Sequence, residues 1–218
     1  MSSNYGKEIE HWNGVDVSVD ARLTQSFRAQ AGISSGRTST DNCEVVAKLP
    51  ELIASDTTAL PIGYCHVDSP FLTQVKAMGS YTIPKLDVQI AGAFQSNPGP
   101  LAQATFIAPN ALAAASLGRP LSGGAGNVQV NLLTSNAVAE TPGTATTGDL
   151  YGDRVNQVDL RVGKIVRFGQ RRTSVNLDVY NVLNSSAVLI ESTAYRTFRA
   201  PQFVMTPRFV KVSAQLNF

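Results

Sequence analysis

Few side chains in this 218-residue sequence have the chemistry for catalysis or metal binding. His11 and His66 are the two histidines, and Cys43 and Cys65 the two cysteines. A Ser-His-Asp triad would need one of those histidines, and the sequence context gives no serine a strand-to-helix nucleophile elbow. His66 adjoins Cys65 but His11 is far along the chain, poor spacing for a tetrahedral zinc site. The run LSGGAGN has the glycines of a phosphate-cradling loop but lacks the closing Lys-Ser/Thr and reads as a surface turn. Asp16, Asp20, Asp159 and Asp178 have the chemistry of a paired acid and base. Arg22, Arg28, Arg161 and Arg167 accompany them on neighbouring strand-like runs, and cross-strand ion pairing is the simpler reading. The expectation is no enzyme, no cofactor and no metal. Cys43 and Cys65 lie in polar, turn-rich sequence, the setting of a loop disulfide in an oxidising compartment, with two free thiols as the alternative.

The elements that would carry these side chains announce themselves by composition. Charged residues make up 16% of the chain and hydrophobic ones 43%. Soluble domains carry about 25% charged residues, so neutral polar residues replace charge here. Porin-like barrels share this balance, because apolar outward positions alternate with polar inward ones; a secreted soluble β-protein shares it too. Net charge is +2 and the basic residues are scattered, which predicts no nucleic-acid partner. No apolar run reaches the ~18 residues of a membrane helix. The opening MSSNYGKEIEHWNG has no basic and then apolar leader.

Period-two alternation runs through the chain. At the C-terminal end Val210, Val212, Ala214, Leu216 and Phe218 share one face, opposite Lys211, Ser213, Gln215 and Asn217. The runs GVDVSVDARL, SFRAQAGIS, TQVKAMGSYTI, LDVQIAGAF, VNQVDLRVGKIVRF and TSVNLDVYNVLN alternate likewise. Their polar faces hold Asp16, Asp20, Arg22, Arg28, Lys76, Asp87, Asp159, Arg161, Arg167 and Asp178. Lys164 alone interrupts an apolar face, a position from which its amine snorkels toward a polar interface. The count is about seven strands of roughly 9–11 residues, the length a tilted strand needs to cross a bilayer. Connections alternate between short (LTQS, IPK, FGQRR) and long (Gly36 to Leu72, Asn97 to Asp153, Ser185 to Thr206), the asymmetry of tight periplasmic turns and long external loops. Within the longest loop, QATFIAP and NVQVNLL are matched for a hairpin and NALAAASL for a helical turn. The expected fold is therefore all-β, an antiparallel up-and-down transmembrane barrel segment with a loop hairpin.

The runs LYGDRVNQVDLRVGKIVRFGQRRTSVNLDVYNVLNSS and PRFVKVSAQLNF resemble the end of TonB-dependent transporters. They are most similar to the Oar-like branch with a carboxypeptidase-regulatory-like N-terminal domain. HWNGVDVSVDARL, SSGRTSTDNCEV, YTIPKLDVQIAGAFQS and SLGRPLSGGAGNVQVNLL extend the resemblance over nearly the whole of residues 1–218. It implies the C-terminal part of a 22-strand barrel in a Gram-negative outer membrane, without plug, TonB box or leader, so that Met1 is internal to a longer protein. It also implies uptake of a bulky nutrient such as a siderophore, glycan or peptide. The partners it implies are outer-membrane lipid, the barrel-assembly machinery, the TonB energising complex and an extracellular ligand met by the long loops. By the same resemblance Val210, Val212, Ala214, Leu216 and Phe218 form the assembly signal, Phe218 foremost. Two other readings stay open: a complete small outer-membrane barrel with a structural or adhesive role, and a soluble β-sandwich binding module.

Overall fold

The computed structural model describes residues 3–51, 65–133, 151–168 and 171–217. Twelve strands form among them: β1 (Ile9–Ala21), β2 (Phe27–Asp41), β3 (His66–Asp68), β4 (Leu72–Ile83), β5 (Val88–Asn97), β6 (Thr105–Pro109), β7 (Asn127–Asn131), β8 (Val155–Phe168), β9 (Arg171–Tyr180), β10 (Val188–Glu191), β11 (Pro201–Val204) and β12 (Phe209–Asn217). Two helices, α1 (Cys43–Lys48) and α2 (Asn110–Leu117), lie between them. No helix among the described residues is long and apolar enough to cross a membrane.

Seven strands build one antiparallel wall in the order β1-β2-β4-β5-β8-β9-β12, with β3 added beside the far end of β2. The all-β antiparallel class expected from alternation is the class observed. The sheet is open: among the described residues β1 pairs only with β2, and β12 only with β9. Connections at one end of the wall are short, and at the other end every connection is long. We call these the turn end and the loop end.

The ladders are regular because each strand keeps its alternation in register with its neighbour, so no residue flips to the wrong face. Pairing is continuous from Ile9↔Asp41 to Ala21↔Ala29 in β1–β2, and from Phe209↔Tyr180 to Asn217↔Arg172 in β12–β9. One row of the apolar face runs Phe27, Tyr81, Ile90, Val162, Leu177, Val212 across six strands. These side chains are not a core. Val15 is 66% exposed, Val162 47% and Val212 71%. No second sheet covers the face, so the packed layer that a β-sandwich requires does not form among the described residues. The buried apolar side chains lie mostly in the loop-end connections instead: Val46, Cys65, Ala102, Ala104, Ala108, Leu121 and Met205.

Strand bounds differ from expectation chiefly where a polar or glycine backbone decides them. β1 begins at Ile9 rather than Gly14, and β2 runs on to Asp41, so the connection expected from Gly36 to Leu72 is shorter. The ladder passes through the Gly14↔Gly36 pair, and the Trp12 indole lies over both glycines. A Cβ on either would stand 2.4 Å from its ring. The indole supplies the cross-strand contact that glycine lacks. β1 ends at Ala21, which leaves Arg22 and Leu23 in the turn. β5 begins at Val88 rather than Leu86, because Asp87 adopts φ 51° in the preceding turn. β9 stops at Tyr180 rather than Asn184, because Asn181 and Asn184 take φ 50° and 52°. Asparagine reaches this left-handed region more readily than most residues.

The long connections carry structure of their own. β6 and β7 form the expected hairpin, with α2 between them ended by Gly118 at φ 69°. The connection from Ser185 to Thr206, expected only as a long loop, holds the β10–β11 hairpin. Its two four-residue strands pair through register shifts, which erases the period-two pattern by which a strand is recognised in sequence. The two hairpins touch: Thr105 donates its N–H to Thr193 O at 2.6 Å, and the Phe106 and Tyr195 rings meet edge to face at 6.2 Å.

Candidate functional site

The polar face of the wall is a trough of about 720 Å³, continued by a second of about 460 Å³. Its shape follows from the register. Large polar residues come from the outer strands, Asp20 and Gln30 on one side and Asp159, Arg161, Asp178 and Tyr180 on the other. Between them the facing positions are Met78, Ser80, Ala91 and Ala93. Three of these four, Ser80, Ala91 and Ala93, are small and leave the volume that the flanking side chains rim.

Most of the expected polar-face residues meet here. Asp20, Arg22, Arg28, Asp159, Arg161 and Asp178 line the larger trough, and Lys76 lines the smaller. Arg161 and Asp178, partners in the β8–β9 ladder, form a two-pronged ion pair whose second contact, Nη2 to Oδ2, is 3.2 Å. The Asp178 side chain is only 4% exposed. Asp159 accepts from Gln157 Nε2 at 2.9 and 3.0 Å and from the Asn181 N–H at 2.8 Å. Gln95 Nε2 in turn donates to Gln157 Oε1 at 2.7 Å. A connected polar network of this kind rigidifies its surroundings only because its members are satisfied.

Other expected ion pairs do not form. Among the described residues Arg22 and Arg28 have no carboxylate within ion-pair distance, and the Asp20 carboxylate accepts from Gln30 Nε2 at 3.5 Å instead. Asp16 stands opposite Ser34, a residue with no charge to offer. Asp87 lies in the turn rather than on a strand face, and there it accepts from Arg167 Nη2 at 2.9 Å. Lys164, the cation on the apolar face, turns its amine to the Leu86 carbonyl at the turn end. Gly32-Ile33-Ser34-Ser35-Gly36 spells the letters of a nucleophile elbow, but all five residues are extended within β2. None of the described residues form a group of three metal-ligating side chains.

The apolar face has a polar border that alternation did not reveal. Ser35 Oγ and Thr73 Oγ1 are 2.8 Å apart, and Ser96 Oγ donates to Asn156 Oδ1 at 2.5 Å. These residues fall on the apolar side of β2, β4, β5 and β8: Ser96 and Asn156 continue the row of Ile33 and Val75, and Ser35 and Thr73 share the next row toward the loop end. Arg154 binds the border together, donating Nε to Ser96 Oγ at 2.7 Å and Nη2 to the Thr73 carbonyl. A band of aliphatic and aromatic side chains thus stops at a rung of hydroxyls, an amide and a guanidinium. In sequence these are single polar letters at strand ends.

Two further clusters shape the loop end. Cys43, at the start of α1, is disulfide-bonded to Cys65 beside β3, with Cα atoms 4.7 Å apart. Glu51 receives Arg119 Nη1 at 2.7 Å and Nη2 at 2.9 Å, and Ser122 Oγ at 2.6 Å. The Arg119 guanidinium, then the Ser122 hydroxyl, hold the Glu51 carboxyl down at about 2. At the base of β10–β11, the Asn181 amide donates to Ser185 O and Thr206 O and accepts from the Ser185 N–H, each at 2.9 Å. Asn184 Oδ1 accepts from the Arg208 N–H at 3.0 Å. The letters NVLN, expected as the end of a strand, therefore form a clamp across the last connection.

The residues resembling an assembly signal sit on the edge strand β12. Val210, Val212, Ala214 and Leu216 pair with Val179, Leu177, Val175 and Thr173; Phe218 lies outside the described residues. No family model matches the chain, and no curated protein or solved structure matches it either.

Proposed function

We propose that this chain is a segment of an outer-membrane β-barrel wall, the C-terminal part of a TonB-dependent transporter for a bulky nutrient. One observation carries the membrane reading: a seven-strand meander whose apolar face is uncovered and ends at a polar border. Contiguous exposed apolar surface beyond a few hundred Å² marks an interaction with lipid or protein, and a lipid-facing band flanked by polar or aromatic girdles is the membrane form of it. The opposite face, with its trough and ion pair, then faces the lumen. The long connections, held by the disulfide and the Glu51–Arg119 contact, present the surface that an external ligand meets. The resemblance of NLDVYNVLN and PRFVKVSAQLNF supports the transporter part of the reading, as do the spans between the two ends of the wall. In this reading β12 is the strand offered to the barrel-assembly machinery.

Bromolipid quenching tests the membrane part. In chains carrying Trp12→Phe, a tryptophan is placed in turn at positions 17, 18, 19 and 20 of the vesicle-refolded protein. Quenching is expected at 17 and 19 and not at 18 and 20. Equal quenching at all four positions sinks the reading. The transporter part is tested on the transcript 5′ of the Met1 codon, where an in-frame plug and further alternating strands are expected and a stop codon is the contrary result.

A further inference from the structure

The polar border of the apolar face carries two positive charges that no carboxylate answers. Arg154 donates Nε to Ser96 Oγ and Nη2 to the Thr73 and Ser96 carbonyls. These acceptors are all neutral, and its Nη1 has no partner among the described residues. Arg37 follows Ser35 by two residues in β2, so it stands on the same face, one row nearer the loop end. Its guanidinium lies 5.7 Å from the centre of the Phe71 ring, and it donates no hydrogen bond among the described residues. Both arginines are exposed. Neither has a carboxylate within ion-pair distance among the described residues. Asp68, on the row beyond Arg37, has His66 Nε2 at 3.7 Å instead.

Cations without a counter-charge at the rim of an apolar surface favour an anion that arrives attached to hydrocarbon. Toward the turn end from the Ser35–Thr73 pair lie Ile33 and Val75, paired in the adjacent row. Ile33 is 44% exposed, and Phe71, beside Arg37, is 62% exposed. The occupant that fits this strip presents negative oxygens at the loop end and apolar chains below. A guanidinium matches phosphate oxygens with two parallel N–H donors and sheds its water more readily than an ammonium. A zwitterionic headgroup already sets an ammonium against its own phosphate and gains less from a second cation. We infer that Arg37 and Arg154 form a binding site for a membrane lipid whose headgroup phosphate carries no cation of its own. The acyl chains of that lipid lie over Ile33 and Val75. This rests on the membrane reading above and goes beyond it, since a lipid-facing wall requires a polar border but not one that selects among headgroups.

Headgroup-selective quenching tests the site. A chain carrying Trp12→Phe and Ile33→Trp is refolded into phosphatidylcholine vesicles. These contain a small fraction of brominated phosphatidic acid or the same fraction of brominated phosphatidylcholine. Phosphatidic acid is expected to quench at the lower fraction, by about fivefold for each guanidinium that attracts it. Arg37→Gln gives up only the contact with Phe71 and spares the hydrogen bonds of the border, and it should remove about fivefold of that preference. Equal quenching by the two lipids overturns the inference, as does a preference undiminished when Arg37→Gln and Arg154→Gln are combined. A preference abolished by excess inorganic phosphate would assign the two cations to a soluble anion and overturn it as well. Quenching by brominated phosphatidylcholine keeps the membrane reading standing in each of these cases. Its absence would remove that reading and the inference together.

Discussion

The wall and the loop end are made by opposite means. In the wall, unbroken ladders carry side chains that bury little: Val15, Val17 and Val19 are 52–66% exposed. At the loop end, strands are short and irregular, yet the buried small residues, the disulfide and the carboxylate–guanidinium contact all lie there. The wall holds its shape through backbone pairing and leaves its apolar face to its surroundings. The loop end brings its own core. Stability should therefore respond to the solvent of the apolar face in one region, and to redox state and pH in the other.

The largest expected effect breaks that comparison if it fails. Val162→Arg places a cation in the middle of the apolar row and should destabilise the vesicle-inserted protein by up to roughly 4 kcal/mol, read from urea unfolding. Leu112→Arg, at an exposed position of α2, should cost nothing measurable. Equal tolerance at both sites would mean that lipid does not cover the wall.

Next comes the disulfide. Reduction opens a loop closed over a sequence separation of 22 between Cys43 and Cys65, and chain-entropy bookkeeping puts the loss at about 3 kcal/mol. The effect should stay at the loop end, so hydrogen exchange is expected to rise in α1 and β3 and not in β8 or β9. Mass spectrometry of the untreated protein should show two protons fewer than after reduction.

Asn181→Ala removes the clamp under β10–β11, three hydrogen bonds to part-buried backbone groups of Ser185 and Thr206. A loss of about 2 kcal/mol is expected, from about 0.5–1.5 kcal/mol per hydrogen bond, with proteolysis appearing first between Ser185 and Thr206. Cleavage in the wall instead would show that Asn181 supports β9 rather than the hairpin.

The smallest effect concerns Glu51. Its carboxyl is lowered from 4.5 to about 2 by Arg119 and Ser122, so its contribution is present above pH 4.5 and is lost as pH falls through about 2. A fluorophore pair across α1 and α2 should separate over that acid window in the native chain. It should be insensitive to pH in Glu51→Gln, whose amide has no proton to gain.

Much of this was legible in the letters. Alternation in SVDARL, QVDLRV and NLDVY placed Asp20, Arg161 and Asp178 on one face, because side-chain direction in a strand depends only on parity. The chemistry of Cys43 and Cys65 admitted a disulfide, and the Ala-rich run between two β-like segments placed α2. The polar border of Ser35, Thr73, Ser96 and Asn156 was not legible, since each is one polar letter at a strand end and only register aligns them. Arg22 and Arg28 show the converse: complementary charges in sequence did not become ion pairs, because Arg22 falls in the turn and Arg28 stands opposite the uncharged Ser80.

What the sequence determined by itself is the set of local, periodic properties: seven alternating strands, two faces, short turns at one end and long connections at the other. These follow from covalent geometry that every residue shares. Tertiary structure alone decided which residues stand across from one another, that Asn181 and Asn184 leave the strand to form a clamp, that Trp12 covers Gly14 and Gly36, and that the sheet stays open among the described residues. Those outcomes depend on contacts between distant segments, whose free energy is absent from any window of the chain until the register is set.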